Sequence, residues 1–295
     1  MLSDGTYAVT ASMEGTKVVI PATYNEKPVT EIGEDAFRGN STVKEIVLPD
    51  TVKKIGASAF QDAKSLSKIN LDKVEEIGKN AFKGTALIIP NLSSVTSLGV
   101  GAFSSCSRLS EVTLPSTLTS VPKMAFKSCS YLSIVNLPSS IIEIQDEAFM
   151  NCTSLASIDL SNVQYIRAKS CETCSQALKS LTLTNVKEIH DEAFAGCSNL
   201  KTVTTGENCE MIYMHAFRNC SLTSFDLRSS GDHWCFLLKY SNSTGFDVYD
   251  RDKVGNWDRI KISSDTDFAA LFGKTYNYGC YMATKTWFQQ SGLMS

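Results

Sequence analysis

The dipeptide Ala-Phe returns along this chain at nearly constant intervals, and this repeat limits the possible folds more than any other feature. The Phe-to-Phe intervals are 23, 22, 21, 23 and 23 residues, followed by 45 and then 23. The interval of 45 is two steps with one phenylalanine missing, because Ser170-Cys171 stands where Ala-Phe is expected. A period of about 20 to 30 residues predicts a solenoid, in which each repeat packs on its neighbours.

Each repeat contains two apolar segments. The first reads L-x-x-h-x-L, where h is apolar, as in 66–71 and 132–137. This alternation is typical of a strand with one buried face, and the proline that often follows it, as Pro115 and Pro138 do, would end the strand. The second segment reads V-x-x-I-x-x-x-A-F, as in 52–60, and its apolar residues are expected to point inward from the opposite side of the coil.

Small residues recur at two fixed distances from the phenylalanine. The glycines four residues before it are Gly33, Gly56, Gly78 and Gly99, and they suggest a bend that favours a residue without Cβ. The cysteines three residues after it are Cys106, Cys129, Cys152, Cys174, Cys197 and Cys220. Because parallel side chains in one column are poorly placed for disulfides, we expect a ladder of buried free thiols.

The pair Cys171 and Cys174 has CxxC spacing, which can mark a redox or metal site. Both cysteines fall in the register of the repeat, and no second pair of ligands is spaced to complete a zinc site. A local substitution in the repeat is therefore favoured. The loss of the phenylalanine should leave a smaller corner, or one filled by a neighbour such as Tyr165.

The combination of L-x-x-h-x-L-P strands with I-G-x-x-A-F-x-x-C corners resembles the leucine-rich repeats of BspA-like proteins, from about Gly5 to Leu227. The opening segment 4–33 also looks like the usual start of such a domain. The resemblance implies an α/β-type leucine-rich repeat solenoid that is β-rich, right-handed and carries a parallel sheet on one face. It also implies a family found largely on microbial cell surfaces, with members that act in adhesion and protein binding.

The solenoid is expected to cover residues 1–228, with an N-terminal hairpin or cap at about 1–20. A solenoid exposes its last apolar layer unless another element covers it, so a C-terminal capping module is expected at 229–295. All three tryptophans lie in that segment, and aromatic rings cover apolar area well. Its predicted elements are short strands at 236–238, 247–249 and 260–262, and a helix at 264–273.

The sequence carries no constellation typical of an enzyme. His190 and His215 are expected at surface or corner positions. His233 and Cys235 could act as base and nucleophile, but no family signature accompanies them. The acidic run 247–258 lacks the glycine and the terminal glutamate of an EF-hand loop. We therefore expect no catalytic residue, no metal and no cofactor.

Composition narrows the classes of partner. The formal net charge of −3 disfavours a nucleic-acid binder, which would show a basic stripe. No run of about 18 apolar residues occurs, so no membrane insertion is expected. The N-terminus lacks the charged and apolar segments of a signal peptide, which fits either a cytoplasmic protein or a trimmed chain. We favour a trimmed chain that is secreted or displayed on the cell surface, because the resemblance implies export.

Two surfaces are candidates for binding a protein or a glycan. The first is the outward face of the strand segments, which is small, polar and rich in hydroxyl groups. Its candidate contact residues are Glu45, Lys68, Asn70, Asn91, Glu111, Thr113, Asn136, Asp159, Thr182 and Asp226. The second is formed by the cap aromatics Trp234, Trp257 and Trp287, since aromatic residues are enriched in binding hot spots. A plain solvated sheet and a plain cap are the alternatives.

The sequence thus favours a non-catalytic binding module of the adhesion type, in a microbial surface protein. One alternative is a thiol-dependent activity in the C-terminal module. Another is a structural spacer that projects a further domain.

Overall fold

Short parallel strands, one coil apart, build the solenoid that the repeat predicts. A computed structural model of the chain describes residues 1–174, 178–206, 208–209, 211–212, 216–220, 224–226, 233–241, 245–253, 256–262 and 279–284. Within these ranges the secondary structure consists of strands and turns, without a helix.

Most strands belong to the repeats and are only two to four residues long. In chain order they are β1 (Tyr7–Val9), β2 (Lys17–Val19), β3 (Thr23–Tyr24), β4 (Lys27–Ile32), β5 (Glu45–Val47), β6 (Lys54–Ile55), β7 (Lys68–Ile69), β8 (Glu76–Ile77), β9 (Ser97–Leu98), β10 (Glu111–Thr113), β11 (Ser120–Val121), β12 (Ile134–Asn136), β13 (Glu143–Ile144), β14 (Tyr165–Ile166), β15 (Ser180–Leu183), β16 (Glu188–Ile189), β17 (Thr202–Thr205), β18 (Met211–Ile212) and β19 (Ser224–Asp226). Four longer strands follow, β20 (His233–Ser241), β21 (Gly245–Lys253), β22 (Asn256–Ile262) and β23 (Gly279–Thr284).

The strands of the repeats form two parallel stacks. The L-x-x-h-x-L segments supply the first stack, ordered β2-β5-β7, β10-β12 and β15-β17-β19. The second apolar segments supply the second stack, ordered β1-β4-β6-β8-β9 and β11-β13-β14-β16-β18. The predicted parallel sheet is confirmed, and a second stack that the sequence did not predict accompanies it. The right-handed sense of the superhelix stays a prediction.

Prolines explain two interruptions of these stacks. In the second stack, the residue after each strand donates its backbone N–H to a carbonyl of the preceding coil. Pro122 occupies this place without an N–H, and the ladder stops between β9 and β11. In the first stack Pro90 replaces the central apolar residue, and the segment 88–92 between β7 and β10 is not a strand. The first stack also breaks at 157–159, which nothing in the structure explains.

The repeated phenylalanines form a column through the core. Consecutive rings from Phe37 to Phe149 are stacked, with centroids 5.1 to 5.8 Å apart and planes within 17° of parallel. The largest separation, 5.8 Å, lies between Phe103 and Phe126. Each corner is also held by the main chain, as where Phe60 N–H donates to Ala81 O (2.8 Å).

Ser170 and Cys171 interrupt this column. Both side chains are buried, and the Ser170 hydroxyl has no hydrogen-bond partner among the described groups. Tyr165 does not fill the corner, because it lies in β14 with the Arg167 guanidinium 4.9 Å from its ring centroid. The corner therefore combines an unsatisfied buried hydroxyl with a side chain smaller than phenylalanine, and both features destabilise it.

The corners turn through residues with left-handed backbone conformation on both sides of the phenylalanine. Two residues before it, these are Asp35, Ser58, Asn80, Gly101, Met124, Glu147, Lys169 and Glu192. Two residues after it, they are Gly39, Asp62, Gly84, Ser105, Ser128, Asn151, Thr173, Gly196 and Asn219. Their φ values lie between 53° and 74°, a region that favours glycine and asparagine and is uncommon for other residues.

The glycines four residues before the phenylalanine are needed for a different reason from the bend that the sequence suggested. Gly78 does not adopt a positive φ. A Cβ at this position would lie 2.7 Å from the backbone nitrogen of Ala57 and 2.8 Å from the carbonyl carbon of Gly56. The corner therefore needs glycine for the close approach of two coils rather than for a bend.

The cysteine column is a ladder of hydrogen bonds. Each thiol donates to the carbonyl oxygen of the corner residue one coil earlier, as Cys129 does to Phe103 O (3.1 Å) and Cys174 to Phe149 O (2.9 Å). The cysteines of the column are free thiols, and so is Cys171, as predicted. Burial raises the pKa of Cys106 to about 11. Since the thiolate is the nucleophile and the metal ligand, the raised pKa favours a packing role for Cys106 over a chemical one.

The chain ends differ from the central repeats. β1 and β2 pair in parallel with β4 and β5, so they extend the two stacks. The antiparallel hairpin lies later than the predicted 1–20, between β3 and β4, and turns at Asn25 and Glu26. At the other end β22-β21-β20-β23 form an antiparallel sheet, in which the three predicted strands are found. The predicted helix at 264–273 lies outside the described residues.

Restoring the repeat at the interrupted corner should stabilise the protein. The double substitution Ser170→Ala and Cys171→Phe removes the unsatisfied hydroxyl and extends the column of rings, and we expect it to raise the free energy of unfolding by about 1–3 kcal/mol. Thermal melting followed by circular dichroism measures this. The reverse change at the neighbouring corner, Ala148→Ser with Phe149→Cys, should lower the melting temperature. A lower melting temperature in the restored variant would show that the corner has no room for the ring.

The buried thiols should resist alkylation in the folded protein. At pH 8, iodoacetamide should leave Cys106, Cys129 and Cys152 unmodified, because burial holds their pKa values above the ordinary range. Peptide mass mapping reports each site, and the same treatment in 6 M guanidinium, roughly the strength that unfolds most domains, is the positive control. Rapid native labelling of these three cysteines would contradict the ladder.

Candidate binding face and cleft

The outward residues of the first stack lie in columns along the solenoid. Glu45 is in register with Lys68, and Thr113 is in register with Asn136. Neighbouring strands in such a ladder are about 4.8 Å apart. The predicted residues that share this exposed or half-exposed face are Glu45, Lys68, Asn70, Asn91, Glu111, Thr113, Asn136, Asp159 and Thr182. Nine of the ten predicted face residues therefore lie at exposed or half-exposed positions of the L-x-x-h-x-L segments.

The other predicted residues are described only in part. Asp226 lies in β19, in register with Thr204. Trp234 lies in β20 and Trp257 in β22, but their side chains are outside the description, as is all of Trp287. A role of these residues in binding a protein or a glycan thus stays a prediction.

The start of the face is an ion-paired column. The Glu45 carboxylate accepts from Lys68 Nζ (3.2 Å) and from Lys17 Nζ (3.3 Å). The hydrogen bond from Lys68, and then that from Lys17, lowers the pKa of Glu45. Two lysines share this one carboxylate, so the group keeps a net positive charge on its exposed ammonium groups.

Two predicted contact residues are bound to their own chain. Asn70 Oδ1 accepts the backbone N–H of Leu48 (2.8 Å), and Asn70 Nδ2 donates to Leu48 O (2.9 Å). This side chain takes the place of a ladder bond between coils. Asp159 accepts the backbone N–H of Ser161 (2.9 Å), which lowers the pKa of the carboxyl. Both side chains therefore stabilise the solenoid.

The centre of the face has a small polar cluster. Asn136 Nδ2 donates to Thr113 Oγ1 (2.9 Å) and lies 3.3 Å from Glu111 Oε1. Beside this cluster the face turns apolar, since Ile89 is 63% exposed and Ile134 is 48% exposed. Exposed isoleucines on an otherwise polar sheet favour a contact with a partner.

A cleft of about 490 Å³ opens next to the cluster, where Pro90 interrupts the first stack. Its lining residues are Ile89, Pro90, Asn91, Ser93, Thr113, Leu114, Pro115 and Ser116. The lining carries no charged side chain and no aromatic ring, and it includes the predicted residues Asn91 and Thr113. Sequence reasoning missed the cleft, although proline at the central strand position was a signal that could have found it.

The second stack carries a closed charge cluster. Arg167 pairs with Glu143 and Glu188 and contacts His190 Nε2 at 2.8 Å. His190 Nε2 also lies 2.9 Å from Glu188 Oε2. This histidine is a partly buried surface residue, as predicted, and the cluster cross-links three coils. The side chains of His215 and His233 lie outside the description.

The repeats match a known family. A family model for the BspA type leucine rich repeat region matches residues 7–132, 75–185 and 165–236, with six copies. Among solved structures, the chain is similar to a leucine rich cell surface protein from Faecalibacterium prausnitzii A2-165, with 26% identity and a TM-score of 0.58. A leucine-rich repeat protein from Bacteroides ovatus is similar too, with 26% identity and a TM-score of 0.56.

Each likeness covers 77% of this chain and 73% of the other chain. No curated protein matches the chain. Because the family model spans most of the chain, from the first coil to the last, and the fold agrees, the protein belongs to the BspA-type leucine-rich repeat proteins.

Proposed function

We propose that this chain is a non-catalytic module that binds a protein or a glycan through the outward face of the first stack. The observation that carries the proposal is the cleft on this face, which is lined by Asn91 and Thr113 and flanked by exposed isoleucines. The family consists of repeat proteins, and a repeat scaffold offers extended surfaces for binding. Both points support binding rather than catalysis.

The place of action that we propose is the bacterial cell surface or the secreted fraction. The similar protein from Faecalibacterium prausnitzii is described as a cell surface protein. In the described part of the chain, no helix is both long and apolar enough to cross a membrane. We propose no membrane insertion and no nucleic-acid partner, in keeping with the net charge of −3.

The segment 229–295 is proposed to cap the last coil. Its antiparallel sheet differs from the parallel stacks, and β23 lies close to β18 of the last coils. Coverage of the terminal apolar layer is what a solenoid requires. Trp234, Trp257 and Trp287 would either serve this coverage or add a second binding surface.

A scan of the face with arginine tests the binding function. The full chain is screened against host matrix proteins and a glycan array, and the ligand found is titrated against Asn91→Arg, Asn136→Arg and Thr182→Arg. A long charged side chain blocks contact without disturbing the buried side of the strand, so at least one variant should bind about tenfold more weakly or worse, as at interface hot spots. The matched control is Ser97→Arg, an exposed position of β9 in the second stack.

The melting temperature of each variant is measured as well, so that a loss of affinity can be distinguished from a loss of folding. Unchanged affinity in all three face variants, or equal loss in Ser97→Arg, would move the binding site off this face.

A further inference from the structure

We infer that the cleft at Pro90 binds a short, uncharged stretch of extended polypeptide, which pairs with the main chain of Thr113. This inference rests on the proposed binding function and narrows the ligand to polypeptide. Three observations carry it, namely an open strand edge, the chemistry of the lining and the size of the cleft.

The open edge follows from the direction of the hydrogen bonds of β10. On one side, Ile134 N–H of β12 donates to Ser110 O (3.3 Å), and Leu114 N–H donates to Asn136 O of β12 (3.1 Å). Ser110 and Leu114 directly flank β10. In a parallel ladder, alternate residues of a strand bond to opposite neighbours. The N–H and C=O of Thr113 therefore face the other neighbour, which is the segment 88–92.

That segment gives Thr113 no partner. Pro90 has no N–H, and residues 88–92 do not form a strand. The structure describes all of residues 86–116. In this range one backbone hydrogen bond joins the segment 88–92 to residues 110–114, and it runs from Ser110 N–H, just before β10, to Ile88 O (3.0 Å). Thr113 thus presents one donor and one acceptor at the cleft, in the geometry of a strand edge.

A strand edge is a template for another strand, because the partner's main chain supplies both missing groups at the correct spacing. One residue of an extended peptide can complete a β-bridge with Thr113. Asn91 also lines the cleft, and its Oδ1 accepts the N–H of Ser93 (3.1 Å). Its amide nitrogen is then placed to donate to a peptide carbonyl.

The lining selects the class of peptide. Ile89, Pro90, Leu114 and Pro115 are apolar, and the four polar lining residues carry no charge. A charged side chain would lose its hydration there without gaining an ion pair. Sugar rings commonly bind against aromatic rings, which are amphipathic, and the lining provides none. The volume of about 490 Å³ falls within the usual range of ligand pockets, about 300–1,000 Å³.

The test uses peptides selected on the protein itself. A random dodecapeptide library displayed on phage is selected on the immobilised full chain, and the enriched sequences are synthesised with a fluorescent label. Fluorescence anisotropy then measures Kd for each peptide and for two analogues of it, one N-methylated at the odd-numbered residues and one at the even-numbered residues. Each analogue keeps the side chains and loses half of the main-chain donors. We expect one of the two analogues to bind at least tenfold more weakly than the parent peptide.

Two arginine variants locate the site. Ile89→Arg places a charge on a residue that lines the cleft, and Ile142→Arg places the same charge on an exposed isoleucine beside β13, in the second stack. We expect the selected peptides to be uncharged at their centre and to bind Ile89→Arg at least tenfold more weakly. Their affinity for Ile142→Arg should stay within twofold of that for the unchanged protein.

Several results would overturn the inference. These are the recovery of no binding peptide, selected peptides that bind Ile89→Arg as well as the unchanged protein, or N-methylated analogues that all bind equally well. Binding of a neutral oligosaccharide that Ile89→Arg abolishes would assign the cleft to a glycan instead. If a matrix protein still binds and the arginine variants of the face still weaken it, the proposed function stands while the peptide cleft fails.

Discussion

The solenoid depends on one constraint, which is that each coil must offer main-chain donors and acceptors in register with the coil beside it. Corner residues meet this demand through bonds such as Phe60 N–H to Ala81 O (2.8 Å). Where the main chain falls short, side chains replace it. Asn70 bonds both backbone groups of Leu48, and the cysteine thiols donate to corner carbonyls. Asn70 and the cysteines of the column thus meet a hydrogen-bond requirement of the stacked coils.

The periodic features could be predicted because they repeat. The phenylalanine column, the buried thiols and the strands of the first stack each follow from several copies of the same pattern. The strands of the second stack were missed because they are only two residues long over most of the chain, too short to show an alternation. The reason for Gly78 was misjudged, since its neighbour is a backbone one coil away, and sequence distance does not reveal that approach.

The outward face of the first stack could be predicted from the sequence, but the sequence did not show which of its residues bind their own chain. Asn70 and Asn91 hold the same place in the repeat and look equivalent in the sequence. The structure distinguishes them. The Asn70 amide binds Leu48, whereas among the described residues the Asn91 side chain accepts from Ser93 and lines the cleft. The difference originates in Pro90, which removes the neighbouring strand. The proposed site thus depends on a single exception to the repeat rather than on the repeat itself.

The two proline interruptions have a joint consequence, because both separate the coil that ends at Phe103 from the coil that ends at Phe126. Neither stack is continuous there, and the ring separation reaches its maximum of 5.8 Å. Corner bonds such as Phe103 N–H to Ala125 O (2.9 Å) still cross the junction. In a repeat protein cooperativity passes only between nearest neighbours. The coupling between these two coils therefore relies mainly on the corner bonds and on side-chain packing, without ladder pairing from either stack.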